Sequence, residues 1–531
     1  MYILIYDFGT GSVKTCLFEI DEEIRLAASS VAAYDLYISD DGGAEQDTEE
    51  WWAAICKTTH ELFEKTDVRP GQIEGMAFCS QMQGTVLVDE SGNAVRRPMN
   101  YLDQRGIKEY RDCMCSGIIR VSGVSLYKLA RNILVNYAAS ASAKDPVWKY
   151  KWVENNEPEV FNKVYKWLDI GDYLTARCTG RIVRTADTAF ATFLYDTRKG
   201  KEGWNAGLLK MYGIDPKHMP EIIDCTDIAG SLTEKAAMDL GLVPGIPVFG
   251  GGGDTTFVNI GAGCTKPGDT HMYVGTSGWV SAFLDHQTVD IDAMITGVLS
   301  AVPGYFNYYA ELETAGKCFE WVMAHLALDE VGIYLDKVMI TDVEQKYLSL
   351  YDYLSEEVNK VPPGANGVIF TPWLHGNRCP FEDSKAGAMF FNLRIENGKR
   401  DMIRAVLEGI CYHLRWLLEC EERKVKISDT IRFVGGGALS PVTCRMLADI
   451  TGRTIETVGN TQEVGAVGAA LVVAAGVKGE DVLELSRKLV KPENVYVPNP
   501  ENKEVYERNY RVFKKLYRSN ANNFKMINAI E

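Results

Sequence analysis

Basic charge is scarce along this chain. Its 531 residues include 56 Lys and Arg against 72 Asp and Glu, a formal net charge of −16. Sequence-independent binding to nucleic acid needs a basic footprint that displaces counterions, so no nucleic-acid partner is expected. Anionic small molecules stay open, because a pocket of backbone N–H groups holds phosphate inside an acidic protein. Long apolar runs are also missing: no stretch approaches the ~20 uninterrupted residues of a membrane span, and no membrane partner is expected. The opening residues, MYILIYDFGTGSVKT, show neither a basic leader nor an apolar run of signal length, so no secretion signal is expected there. The 13 cysteines form no CxxC pair, and their odd count leaves at least one thiol outside any intrachain bridge. A reduced, cytoplasmic setting follows as the expectation. At about 150 residues per domain, the length predicts two to four domains, large enough to bury cores without disulfides.

Residues 2–6 read as a buried strand, 7–12 as a turn of small residues and 13–18 as a returning strand, together a β-hairpin. An amphipathic helix is expected over 49–63 and a strand over 73–78. Strands and helices then alternate up to a Pro/Gly-marked crossing at Val243-Pro244-Gly245-Ile246-Pro247. The main division is placed there: a first domain over 1–247, a second over 248–495, and a C-terminal helix in 496–531 packing back on the core. A second strand–turn–strand unit over 270–283, with Gly275, Thr276 and Ser277 at its tip, echoes the first hairpin and suggests a duplicated α/β unit. Residues 400–420 place Ile403, Val406, Leu407, Ile410, Leu414, Leu417 and Leu418 at helical spacing. A strand over 431–434 leads into Gly435-Gly436-Gly437-Ala438 and a helix over 440–451. Residues 463–475, small and apolar, suit a helix packed tightly on a sheet, and 505–525 read as an aromatic-rich amphipathic helix.

The chemistry these pieces suit is phosphoryl transfer, which needs held oxygens, neutralised charge, a metal ion and a base for the attacking hydroxyl. Glycines in the tip from Gly9 to Ser12 let backbone N–H groups approach phosphate oxygens. Asp7 would hold Mg²⁺ directly or through water, or else cap the turn; Lys14 would reach a phosphate, or else stay solvated. The tip at Gly275, Thr276 and Ser277 would converge on the same phosphate chain if the two halves face one cleft. The Gly435 loop would let adenine and ribose lie on bare backbone, or else be a tight strand-to-helix turn. Asp254 follows four consecutive glycines, and a carboxylate there is placed to take a proton from a hydroxyl, to cap a helix starting near Thr256, or both. Gln81-Met82-Gln83-Gly84 and Asn100-Tyr101-Leu102-Asp103-Gln104-Arg105 offer amide, carboxylate and guanidinium groups suited to sugar hydroxyls.

Taken in order, these segments resemble the FGGY carbohydrate kinases, and within them the xylulokinase branch, over nearly the whole chain. Asp7-Phe8-Gly9-Thr10-Gly11-Ser12-Val13-Lys14 is similar to that family's first phosphate motif, and Ser80-Gln81-Met82-Gln83-Gly84 to its sugar motif. Pro146, Lys149, Tyr150, Trp152, Val153 and Asn155 fit most of its first signature, and residues 387–408 track its second. Gly251-Gly252-Gly253-Asp254 is similar to the catalytic motif, and Gly435-Gly436-Gly437-Ala438 with Ser440-Pro441 to the adenosine motif. The resemblance implies an α/β fold of two actin-like (ribonuclease H-like) ATPase domains around a central cleft, with ATP and Mg²⁺ as cofactors. It implies Asp254 as the base that activates a hydroxyl of a small sugar or polyol, foremost a pentulose. Gln81, Met82, Gln83, Asp103, Arg105 and Thr255 would join Asp254 around that sugar. Thr10, Gly11, Ser12, Lys14, Gly275, Thr276, Ser277, Gly316, Gly436, Gly437, Ala438 and Ser440 would bind ATP. Asp7 and Asp254 would hold Mg²⁺ indirectly, and a homodimer is implied. Three positions depart from the pattern: Gln83 stands where xylulokinases carry His, Thr255 where many relatives carry Asn or Gln, and Asn392 where the second signature has Gly. The first two keep other ketoses, alditols and signalling carbohydrates open as acceptors. A sugar-sensing regulator would need a DNA-binding appendage, and no helix-turn-helix is evident.

Overall fold

The computed structural model describes residues 1–121, 123–326 and 355–529. Two mixed sheets dominate it, and their strands follow one plan. In the first sheet the order is Ile228–Ser231, Pro247–Phe249, Ile73–Ser80, Tyr2–Phe8, Ser12–Ile20, Ile24–Ala33. In the second it is Pro492–Tyr496, Thr454–Val458, Thr430–Val434, Thr270–Val274, Gly278–Leu284, Phe306–Leu312, then Ile295–Leu299 and Val289–Asp290. Read in the orders given, the first five pairings run antiparallel, parallel, parallel, antiparallel, antiparallel in both sheets, and the second sheet adds two further antiparallel pairings. The echo between the two hairpins is thus an echo between two whole sheets.

The central strands are apolar along most of their length because both faces are covered. Tyr2–Phe8 buries Ile3, Leu4, Ile5, Tyr6 and Phe8. Trp51, Ile55 and Leu62 of the helix Thr48–Glu64 cover one face of the first sheet. The other face is shared between the halves. There the helices Asp254–Gly261 and Val464–Lys478 cross, with Gly261 against the Val464–Gly468 turn. One apolar cluster around them joins Ile3, Ile5, Ala77 and Cys79 of the first sheet to Trp279, Phe283, Val434 and Val458 of the second.

The chain re-enters the first sheet late. Val248 pairs with Met76, and Gly252 and Gly253 pair with Cys79 and Ser80, so the expected division at 247/248 falls inside the strand Pro247–Phe249. The helix Lys503–Ile527 packs Tyr506, Tyr510 and Phe513 into the core of the second half, where the Arg404 guanidinium donates to the Tyr506 hydroxyl at 3.0 Å. All 13 cysteines are unbridged. Among the described residues no helix is long and apolar enough to cross a membrane.

Candidate active site

Asp254 stands where the last strand of the first sheet turns into the helix that runs between the sheets. The strand is only Gly252–Gly253, and the turn before it holds Gly251 at φ 72°, where an added Cβ would lie 2.4 Å from the Phe78 carbonyl oxygen. A side chain is excluded there on both counts. Asp254 is the first helical residue and Gly253 the N-cap, so the helix-capping reading of Asp254 gives way to a first-turn position. One carboxylate oxygen, Oδ1, accepts the Thr255 N–H at 2.8 Å. Enclosure in the cleft pushes the carboxyl up to about 6, with Asp7 and Glu311 adding to the rise.

A second aspartate, missed by sequence reasoning, shapes this turn. Asp187 opens the short helix Ala186–Phe190 and is 1% exposed. Its Oδ2 accepts both the Gly253 N–H and the Thr256 hydroxyl at 2.8 Å. The two bonds clasp the turn on either side of Asp254.

Asp7 lies within the strand Tyr2–Phe8 rather than in the turn that follows, opposite Lys14 and beside Cys79. Burial pushes its carboxyl up to about 6; Lys14 opposes the rise and Glu463 adds to it. Lys14 Nζ pairs with Glu463 Oε1 at 3.1 Å, tying the first hairpin to the second half. Asp7 is near enough to raise the Asp254 carboxyl, so the two could offer hard oxygen ligands to one metal ion. Among the described residues no cluster of three or more metal-ligating side chains occurs.

Three small-residue loops follow: the tips of the two hairpins and the loop after the strand Thr430–Val434. In the first, Gly9 N–H donates to Ser12 carbonyl at 2.9 Å, Gln46 Nε2 donates to the Thr10 carbonyl at 2.6 Å, and Gly11 faces open space. In the second, the Gly275 carbonyl accepts the Gly316 N–H at 2.8 Å and the Thr276 carbonyl accepts the Lys317 N–H at 3.2 Å, so this tip caps the helix Gly316–His325. A Cβ on Gly316 would lie 2.2 Å from the Gly275 oxygen, which is the physical reason for glycine there. The third loop packs on the end of the second hairpin's first strand: a Cβ on Gly437 would meet Val274 Cβ at 2.7 Å, while one on Gly436 would have ordinary room, with Gln462 Nε2 and the Val274 oxygen at 4.0 Å. Ala438 is buried, and Ser440 caps the helix Pro441–Thr451 by accepting the Thr443 N–H at 3.2 Å.

A cavity of about 510 Å³ is lined by both halves, with Gly9 and Thr10 of the first loop and Ser277 of the second at its wall. From the first half come Gly9, Thr10, Gln81, Met82, Gln83, Asp187, Asp254 and Thr255. From the second come Ser277, Trp279, Tyr309, Glu311 and Arg378, the last two paired at 3.0 Å. Gln81 Nε2 donates to the Gly9 carbonyl at 3.0 Å, while its Oε1 is buried with no partner among the described residues. Thr255 Oγ1 donates to Met82 Sδ at 3.6 Å.

Asp103 and Arg105, expected against the sugar, do not line the cavity. Asp103 is 0% exposed, accepting the Ala44 N–H at 2.9 Å and pairing with Arg105 at 2.6 Å. Arg105 also pairs with Glu45 at 2.5 Å and lies 4.3 Å over the Trp152 ring. Both are spent on bracing the wall, and Tyr101, two residues before Asp103, is the one that reaches the cavity. Glu311, Arg378 and Tyr309 were also missed, because each sits far from any loop the sequence marks out.

The chain matches known proteins along both halves. Residues 2–261 match the N-terminal domain and 271–477 the C-terminal domain of the FGGY family of carbohydrate kinases. Xylulose kinase of Lactococcus lactis is 29% identical over 524 residues, 98% of this chain and 97% of that one. Gluconokinase of Bacillus licheniformis is 25% identical over 537 residues, 99% of this chain and 97% of that one. Among solved structures, ligand-bound xylulose kinase from Lactobacillus acidophilus shares the fold with a TM-score of 0.84 at 22% identity, over 99% of both chains. Plasmodium falciparum glycerol kinase with ADP does so with a TM-score of 0.78 at 19% identity, over 97% of this chain and 98% of that one. With the first sheet, the Asp254 turn and most of the second sheet inside matches that together span well over half of its residues, the chain belongs to the FGGY family of carbohydrate kinases.

Proposed function

We propose that this protein transfers the terminal phosphoryl group of ATP to a hydroxyl of a small sugar, a pentulose such as D-xylulose being the first candidate. The observation that carries the reading is Asp254, a carboxylate held near the proton affinity a base needs, on the polar floor of a cavity shared by both halves. With Oδ1 engaged by Thr255 N–H, Oδ2 takes the proton of the acceptor hydroxyl. The freed oxygen forms the new O–P bond as the bond to ADP breaks. Backbone at the first two glycine loops holds the phosphates, the Gly435 loop takes the adenosine, and closure of the halves excludes water, which would otherwise compete as acceptor. Asp7 and Asp254 would hold Mg²⁺, which when bound neutralises phosphate charge.

The names of the relatives, xylulose kinase and gluconokinase, support a five- or six-carbon acceptor. A second reading, a larger or less polar carbohydrate, is favoured by one wall of the cavity, where Phe190, Phe193, Val298 and Leu299 form a single apolar cluster. A coupled ADP-release assay across pentuloses, gluconate, alditols and deoxy sugars separates the two. Turnover confined to polyhydroxy C5–C6 acceptors supports the first, and preference for deoxy or substituted acceptors the second. We further place the domain division between residues 261 and 271, the protein in the cytoplasm with its thiols reduced, and the working unit as a homodimer.

A further inference from the structure

The loop that presents Gln81, Met82 and Gln83 to the cavity contains a strained backbone position. Gln83 has φ 63°, a left-handed conformation in a residue with a Cβ. Such a position is sterically costly and persists only where its surroundings impose it. Two bonds come from one side: the Gln83 N–H donates to Asp169 Oδ2 at 3.0 Å and the Gly84 N–H to Asp169 Oδ1 at 2.8 Å. The third comes from the other side, where Lys149 Nζ donates to the Gln83 carbonyl at 2.6 Å.

Lys149 belongs to the helix Pro146–Asn156 and is 0% exposed. Lysine is almost never fully buried unless it is paired. The carboxylates whose fields reach it have partners of their own: Asp103 pairs with Arg105 at 2.6 Å, Asp169 lies 3.7 Å from Arg184, and Asp145 accepts the Ser140 hydroxyl at 2.6 Å. The ammonium is therefore committed to a backbone carbonyl in the sugar loop.

We infer that Lys149 is a positioning residue for acceptor recognition: by holding the Gln83 carbonyl against the pull of Asp169 on the adjacent amides, it sets where the loop presents its side chains. This rests on the kinase reading above. It carries a pH signature. Burial lowers the ammonium to about 8, against the fields of Asp103, Asp169 and Asp145, which raise it, and of Lys144, which lowers it further. As pH rises through that value the donor becomes a neutral amine and the bond weakens.

The experiment measures KM for acceptor and for ATP separately, from pH 6.5 to 9.5, in wild type and in Lys149→Met. In wild type, acceptor KM should rise above about pH 8 while ATP KM stays flat. In Lys149→Met, acceptor KM should already be raised at pH 7, by on the order of ten-fold for loss of a charge-assisted bond, and should no longer depend on alkaline pH. Lys149→Arg should restore part of the acceptor affinity and none of the alkaline limb. If Lys149→Met does not fold, the wild-type comparison decides alone. An active wild type whose acceptor KM is flat to pH 9.5, or a folded Lys149→Met with unchanged acceptor KM, overturns the inference and leaves the kinase reading standing. A wild type that releases no ADP with any acceptor overturns the kinase reading and the inference together.

Discussion

Asp254→Asn removes the proton-accepting carboxylate and leaves Asp7 as the remaining carboxylate proposed for Mg²⁺. The amide oxygen can still accept the Thr255 N–H that Oδ1 now accepts at 2.8 Å, and the Asp187 clasp on Gly253 and Thr256 does not involve the Asp254 side chain. Fold and nucleotide binding should therefore survive. What is lost is general-base catalysis, typically worth roughly 10²–10⁴-fold, and kcat for acceptor-dependent ADP release should fall by about that factor. The acid limb of the wild-type pH profile should lie near 6, where the raised Asp254 carboxyl takes up its proton, and should vanish in the variant. Stability should move the other way. A carboxyl whose acidity is weaker folded than unfolded contributes stability below the unfolded value, and that contribution is lost as pH rises through about 6. At pH 7.5 the charged Asp254 thus costs stability, and Asp254→Asn should melt at or above the wild-type temperature. The assays are coupled ADP release, ATP titration calorimetry and thermal melting. A folded, ATP-binding variant with kcat within ten-fold of wild type would refute Asp254 as base.

Gln83→His should shift acceptor preference toward D-xylulose, read as the ratio of kcat/KM values across a ketose panel; an unchanged ratio removes Gln83 from specificity. Asp187→Ala frees the Gly253 N–H and the Thr256 hydroxyl and lets the Asp254 turn move, so kcat should drop by roughly 10–100-fold for a loosened catalytic group, with ATP affinity retained; equal losses in kcat and ATP binding would instead indicate general unfolding. Glu421 is buried with neither oxygen partnered among the described residues, and burial pushes its carboxyl well above the usual carboxylate range. Its contribution to stability is present at low pH and lost as pH rises, so Glu421→Gln should raise the melting temperature at pH 8 and flatten its pH dependence; a lowered melting temperature at pH 8 would contradict this.

Much of the fold was legible because long elements carry their own periodicity. The hairpin at the N-terminus, the helix Lys399–Glu421 with its apolar stripe and the helix Val464–Lys478 fall where pattern and composition put them. The re-entry at Pro247–Phe249 and Gly252–Gly253 was not legible. Three residues and two glycines carry no alternation, and only pairing with Ile73–Ser80 makes them strands. In the site, the glycine loops were visible because close backbone approach restricts residue type locally. Gly316, by contrast, was placed by resemblance, and its physical reason is a contact with Gly275 some forty residues earlier. Polar residues in a loop do not declare which way they face: Asp103 and Arg105 turn into the wall and Tyr101 into the cavity. Asp187, Glu311 and Arg378 meet Asp254 only in three dimensions, so no spacing along the chain marks them.

The central claim is that the cleft between the two sheets transfers phosphoryl from ATP to a carbohydrate hydroxyl. It is tested most directly by incubating the protein with MgATP and one acceptor at a time, and measuring ADP and phosphorylated acceptor together by mass spectrometry. The account predicts ADP that appears only with acceptor, in one-to-one ratio with a monophosphorylated sugar. ADP formed at the same rate without acceptor, or no phosphorylated product from any pentulose, gluconate or polyol, would contradict it.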